Sequence, residues 1–267
     1  MQHAQLTYDK LTALGIWQQM KPITLERMSS VKLMNRIDTK YVLSEMEVMR
    51  LLTRAADEGY LVQQIGGRFA QQYDTLYFDT SEREMYLAHH NRQLTRQKIR
   101  TRTYVDNNQS FLEIKDKTNR GRTRKQRCAI ALDSCNDFRA EAGAMALFDT
   151  LSRYAIDSLK PALSTNFQRI TLVNRALTER LTIDFALHYT DVRSGRQASV
   201  PDMTIVELKQ DGYLDSTMKR ILQEMRIPPL KVSKYCLGTA LTVEGIKYNR
   251  FKEKLRDIEK RLTLSQL

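Results

Sequence analysis

Arg96, Lys98, Arg100 and Arg102 occupy every second position of LTRQKIRTRTYV, residues 94–105. The stretch is rich in β-formers and contains neither Gly nor Pro, so it predicts a strand. Successive strand side chains point to opposite faces. One face therefore carries four cations, and the other carries Thr95, Gln97, Ile99, Thr101 and Thr103. Guanidinium forks and ammonium groups repeated in this way suit phosphate oxygens.

The same division recurs along the chain. Residues 36–43 set Arg36, Asp38 and Lys40 against Ile37, Thr39, Tyr41 and Leu43. Residues 109–116 place Glu113 and Lys115 with Phe111, opposite Leu112 and Ile114. Lys125 and Arg127 share a face of 122–132, and Arg169 lies with Phe167 and Thr171 in 165–173. Arg180, Thr182 and Asp184 oppose Leu181, Ile183 and Phe185, and Glu207 and Lys209 oppose Val206 and Leu208. Pooled, the ionisable faces hold twelve cations and four acids, Asp38, Glu113, Asp184 and Glu207. A solvated sheet face usually balances its charges, whereas neighbouring like charges repel by about 1 kcal/mol or more. The pattern predicts that these faces line a wet tunnel that binds a chain of phosphates. The carboxylates leave room for a divalent cation bridging to phosphate.

The elements that must position these residues are read from periodicity and caps. Short helices are expected over 6–34, broken at Pro22, and a helix over 44–59 with Ser44 and Glu47 spaced as a capping box. Strands are expected at 36–43, 73–79, 94–105, 109–116, 122–132, 165–173, 179–187 and 203–209. Helices are expected at 80–90 (capped by Thr80 or Ser81), 138–154, 213–226, 231–240 and 243–262. The last has Tyr248, Phe251, Leu255, Ile258 and Leu262 as an apolar stripe. Many strands with helices inserted between them predict an α+β protein: an antiparallel β-barrel with a cationic lumen, helices packed outside and a C-terminal helix.

Composition agrees. The 267 residues carry a formal charge of +12, with eleven Lys or Arg against three acids between Leu94 and Arg127. Such a chain seeks polyanions. Three cysteines without CxxC spacing fit a reducing compartment, and no signal peptide or membrane span is read, so a cytoplasmic location is expected. One domain is expected over 1–267. His89, His90 and His188 read as surface histidines, since no metal-ligand spacing surrounds them. Nucleic acid is not expected as a partner, because aromatic residues do not sit beside the cations in sequence as stacking platforms would.

The ordered pieces RIDTKYVL, YDTLYFDT, RQKIRTRTY, FLEIKDK, RTRKQR, NFQRITL, ERLTID, IVELK and KVSKY resemble the vacuolar transporter chaperone (VTC) domain. This is the polyphosphate polymerase branch of the triphosphate tunnel metalloenzymes, which include the CYTH proteins. The resemblance covers about residues 24–240. It implies that Arg100, Arg102, Lys115, Arg169 and Lys234 act in catalysis. It implies that Lys40, Lys125, Lys231 and Ser233 hold substrate phosphates and that Glu207 ligates Mn2+ or Mg2+, while the strand faces themselves assign Arg96, Lys98, Arg127, Arg180 and Lys209 to the phosphates. The implied reaction moves the γ-phosphoryl group of a nucleoside triphosphate onto polyphosphate. A tripolyphosphate hydrolase and a non-catalytic polyphosphate-binding module are the alternatives. A membrane-protein partner and the oligomeric state stay open. Two departures stand out: Arg36-Ile-Asp38-Thr-Lys40 replaces the Glu-x-Glu-x-Lys of CYTH proteins, and Phe167 stands where a tyrosine is expected.

Overall fold

A computed structural model describes residues 6–29, 36–119, 123–212 and 214–264. The chain order is α1 (Tyr8–Thr12), β1 (Pro22–Ile23), α2 (Leu25–Ser29), β2 (Arg36–Leu43), α3 (Glu45–Asp57), β3 (Leu61–Gln63), β4 (Ala70–Asp79), α4 (Glu84–His90), β5 (Arg96–Tyr104) and β6 (Gln109–Lys117). It continues with β7 (Thr123–Ile130), α5 (Ala142–Leu151), β8 (Lys160–Val173), β9 (Glu179–Asp191), β10 (Gln197–Ser199), β11 (Thr204–Asp211), α6 (Thr217–Glu224), α7 (Lys234–Thr242) and α8 (Lys252–Leu264). All eleven strands join one sheet, ordered β2-β11-β9-β8-β4-β5-β6-β7, with β1, β3 and β10 attached at its margins. Every pairing is antiparallel except that of β1 with β3.

The sheet curls so that its two faces have different fates. Tyr41, Leu43, Ile170, Leu172, Leu181, Ile183, Phe185, Val206 and Leu208 pack with α3 and α6 in one core. Ile99, Leu112 and Ile114 meet Phe138, Ala144 and Phe148 around α5. These are the apolar faces read from the alternation, and helices cover them as expected. The opposite, concave face bears the cations. The expected tunnel fold is therefore present as a curled half-barrel, since β2 and β7 do not pair with each other.

The segment 228–234 spans the gap between the arms. Leu230 N donates to Lys40 O (2.7 Å), Lys40 Nζ to Val232 O (3.2 Å) and Lys98 Nζ to Ser233 Oγ (2.7 Å). The chain is thus tied to β2 at one arm and β5 at the other. Helix α7 follows directly, and its Tyr235 stacks on Tyr77 of β4, 4.9 Å between centroids. Asp79 accepts from the Tyr235 hydroxyl and from the amides of Met85 and Tyr86, locking α4 and α7 to the end of β4.

Several local readings change. Helix α4 begins at Glu84, after Arg83 in left-handed conformation; Thr80 Oγ1 still accepts from Glu84 N. The C-terminal helix begins at Lys252, because Val243 leaves the helical region and a turn intervenes. Pro22 opens β1 rather than only breaking a helix, since its missing N–H is tolerated at a sheet margin. The three-residue β3 was too short to read. His90 is fully buried beneath Phe251, whose ring meets it edge-on at 5.2 Å, so it is not a surface histidine. Residues 30–34, Arg122 and Tyr213, assigned to elements from sequence, lie outside the described residues, as does the Arg36 side chain.

Candidate active site

The concave face encloses a cavity of about 1680 Å³. Among the described residues fourteen Lys or Arg side chains line it against four acids, Glu26, Asp38, Asp106 and Glu207. All fifteen residues singled out from sequence are among the lining: Lys40, Arg96, Lys98, Arg100, Arg102, Lys115, Lys125, Arg127, Arg169, Arg180, Glu207, Lys209, Lys231, Ser233 and Lys234. Strand register explains how. Arg96 faces Lys117, Lys98 faces Lys115 and Arg100 faces Glu113 across β5 and β6, while Lys125 faces Lys115 across β6 and β7. On the other wall Arg169 faces Asp184, Arg180 faces Lys209, and Glu207 faces Lys40.

Two buried carboxylates brace the arginines. Glu113, 1% exposed, accepts from Arg100 Nε (2.7 Å) and from Lys125 Nζ (2.5 Å). Burial favours its neutral form, but Arg100, Arg102 and Lys125 hold it well below the usual carboxylate range. Asp184 accepts from Arg169 through Nε (2.5 Å) and Nη2 (2.7 Å), and also from Lys234 Nζ. Burial again opposes its charge, and Arg169 and Lys234 overcome that. Both acids orient cations toward the cavity while spending their own oxygens.

Burial and like charge work against the lysines. Desolvation lowers Lys234 to about 7 in spite of Asp184, with Arg169 and Lys40 adding repulsion. Lys98 falls to about 8, chiefly through burial. Ser233 caps α7, accepting from Cys236 N, so the helix begins at the cavity wall with its positive end.

Glu207 sits between Lys40 (3.6 Å) and Lys209 (3.1 Å), which hold its pKa well below the usual range against the effect of burial. No group of three His, Cys, Asp or Glu side chains forms a metal cage among the described residues. A hard divalent cation binds through one or two carboxylates plus waters and substrate phosphates. The donor set here fits such a cation when phosphate oxygens complete its shell.

The aromatic surroundings were only partly legible in the sequence: alternation puts Phe111 and Phe167 on ionisable faces but does not say which cations they meet. Arg127 lies over Phe111 (4.5 Å to the centroid), Arg169 over Tyr73 (4.8 Å), and Lys234 Nζ over Phe167 (4.4 Å). Aromatic rings therefore do stand beside the cations, contrary to expectation, but within the trough rather than on an outer face. The partners come from different strands, which linear order hides. Phe167 lies where β8 and β9 slip register, opposite Ala186 at φ 51°, and stacks on Tyr73 at 5.2 Å. By alternation Phe167 shares the face of Arg169, whose guanidinium lies 5.4 Å from its ring centroid. Tyr73 and Tyr77 line the cavity, but a strand with apolar residues on both faces reads as plain core. His89 also lines it, pushed down to about 2 by burial and by Lys98 and Arg96.

A curled antiparallel sheet around a cationic trough is the triphosphate tunnel architecture. The chain belongs to the VTC domain family, whose pattern matches residues 35–243. Solved structures with a similar fold include a candidate adenylate cyclase from Bacillus halodurans, 15% identical, covering 75% of this chain and 96% of that one, TM-score 0.49. Another is a candidate adenylyl cyclase from Hippeastrum with a dominant triphosphatase activity, 16% identical, covering 79% and 98%, TM-score 0.44. A search of curated proteins finds no match. No helix among the described residues is long and apolar enough to cross a membrane.

Proposed function

We propose that the protein is a polyphosphate polymerase, transferring the γ-phosphoryl group of a nucleoside triphosphate onto a phosphate chain. The observation that carries this is the lining itself: among the described residues, fourteen cations and four acids around one cavity, with Arg100 and Arg169 held at its wall by the buried Glu113 and Asp184. Such a lumen is repulsive when empty and is relieved by a polyanion.

A terminal oxygen of the phosphate chain attacks the γ-phosphorus. The bond to the β,γ-bridging oxygen breaks, that oxygen keeps the electron pair as a nucleoside diphosphate leaves, and a new P–O–P bond lengthens the chain by one phosphate. No protein nucleophile is needed; the work is alignment and charge stabilisation. Arg100 and Arg169 are held by Glu113 and Asp184, so their forks are pre-set for phosphate oxygens. Arg102, Lys115 and Lys234 stabilise charge at the transferring group. Lys40, Arg96, Lys98, Lys125, Arg127, Arg180, Lys209, Lys231 and Ser233 hold the rest of the chain. Glu207 would share Mn2+ or Mg2+ with the phosphates, and a cation there neutralises charge on the reacting oxygens.

An end-point assay tests this. Protein with ATP and Mn2+ or Mg2+ is expected to accumulate long polyphosphate and nucleoside diphosphate. Accumulation of free phosphate alone would make it a hydrolase. Absence of turnover with retained polyphosphate binding would leave a binding module.

A further inference from the structure

The trough has unlike ends. Down β5 and β6 the facing pairs run Arg96–Lys117, Lys98–Lys115, Arg100–Glu113, Arg102–Phe111 and Tyr104–Gln109. One end is wholly cationic, and the other is aromatic and amide. At the aromatic end Tyr104 meets Phe111 edge-on, 5.7 Å between centroids, and the Arg127 guanidinium covers Phe111. A ring with a guanidinium beside it is a platform on which nucleobases stack.

A second observation points to the same end. Gln71 lines the cavity, is 5% exposed, and its Oε1 is buried with no hydrogen-bond partner among the described residues. Its Nε2 donates to Arg68 O (2.8 Å), so the unsatisfied atom is the acceptor. A buried acceptor left unpaired is costly, and a ligand N–H would satisfy it. Gln71 precedes Tyr73 on β4, and Tyr73 pairs with Tyr104. The acceptor thus lies at the aromatic end of the sheet.

We propose that the trough is directional. The base of the nucleoside triphosphate, one bearing an exocyclic amine such as adenine, sits at the end formed by Gln71, Tyr104 and Phe111. The phosphates run along β5 past Arg102 and Arg100, and the chain continues over Lys98 toward Arg96 and Lys117. Tyr104 lies two and four residues from Arg102 and Arg100, about 7–14 Å along the strand at ~3.4 Å per residue. Ribose and two phosphates can bridge that span. The assignment rests on the phosphotransferase reading and adds the polarity of the substrate within it.

Equilibrium binding of ATP, inorganic tripolyphosphate and long-chain polyphosphate to wild type, Phe111→Ala, Tyr104→Ala and Lys117→Ala tests it. Phe111→Ala and Tyr104→Ala are expected to weaken ATP at least about fivefold relative to tripolyphosphate, the lower bound for losing a base–aromatic stack. Lys117→Ala is expected to weaken long polyphosphate while leaving ATP unchanged. Far-UV circular dichroism reports whether each variant folds; if Phe111→Ala does not, Phe111→Leu replaces it with the same expectation. Equal losses for ATP and tripolyphosphate, or ATP weakened by Lys117→Ala and not by the aromatic variants, would overturn the polarity. Wild type that binds tripolyphosphate with an unchanged ATP ratio in every variant overturns the polarity alone. Wild type that does not bind tripolyphosphate overturns the phosphotransferase reading as well.

Discussion

At the scale of single residues, the proposed function separates groups that would grip phosphate from groups that set the grip. Glu207 and Arg100 make the contrast testable. Glu207→Gln removes a carboxylate that sits between Lys40 and Lys209. If that carboxylate shares the metal, turnover should fall at least a hundredfold, on the order of 3 kcal/mol of lost transition-state stabilisation. Polyphosphate affinity should hold or rise, because two lysines lose their competing anion. If its fork contacts phosphate before and during transfer, Arg100→Ala should instead weaken affinity and turnover together. Metal-dependent turnover and polyphosphate titration on both variants check the pair; wild-type activity in Glu207→Gln would remove the metal role.

At the scale of elements, the helices are braces for the sheet. Helix α3 carries the expected capping box: Glu47 N donates to Ser44 Oγ (3.3 Å) and Ser44 N donates to Glu47 Oε2 (2.8 Å). Its Val48, Leu51, Leu52 and Ala55 pack on the convex core, away from the cations. Ser44→Ala should therefore cost about 1 kcal/mol of stability in urea melts and leave polyphosphate affinity unaltered. A change in affinity would mean that α3 helps shape the trough. Helix α8 buries Ile258 and Leu262, and its Lys254 Nζ donates to Lys231 O (2.9 Å). It thereby braces the segment that ties β2 to β5.

At the scale of the whole molecule, charge couples folding to ligand and to pH. A polyanion bound only by the native state stabilises it by mass action and relieves repulsion. Long-chain polyphosphate should raise Tm, and duplex DNA at matched charge should raise it less. The shift should shrink with pH. Lys234, brought from the ordinary 10.5 to about 7 by burial, is protonated in both folded and unfolded chains below pH 7. Between about pH 7 and 10.5 the unfolded chain holds the proton that the folded chain has released, so Lys234 makes free-protein stability rise with pH in that window. Phosphate binding needs the charged amine, so affinity falls through the same window. Melts with and without polyphosphate across pH 6.5–10 (roughly the interval set by that linkage) should show the two curves converging. A ligand shift independent of pH, or a larger one with DNA, would count against this account.

Much of this was written in alternation. Arg96 through Arg102 on one face, with Ile99 and Thr101 on the other, followed from the two-residue period of a strand, and the apolar faces of the central strands were found covered, whereas Ile37 of β2 and most of β7 stay exposed. The capping box of α3 is equally local, set by two residues three apart. What the linear order could not reveal came from neighbours distant along the chain. Glu113 and Asp184 became clamps because Lys125 and Lys234 arrive from other elements. Phe111 and Tyr73 became companions of arginines because sheet register placed them there, and Phe167, already on the face of Arg169 by alternation, meets Lys234 because α7 returns to it. The unlike ends of the trough have the same origin: they depend on the pairing of β5 with β6 and β4, a choice made by tertiary packing and not by any one strand.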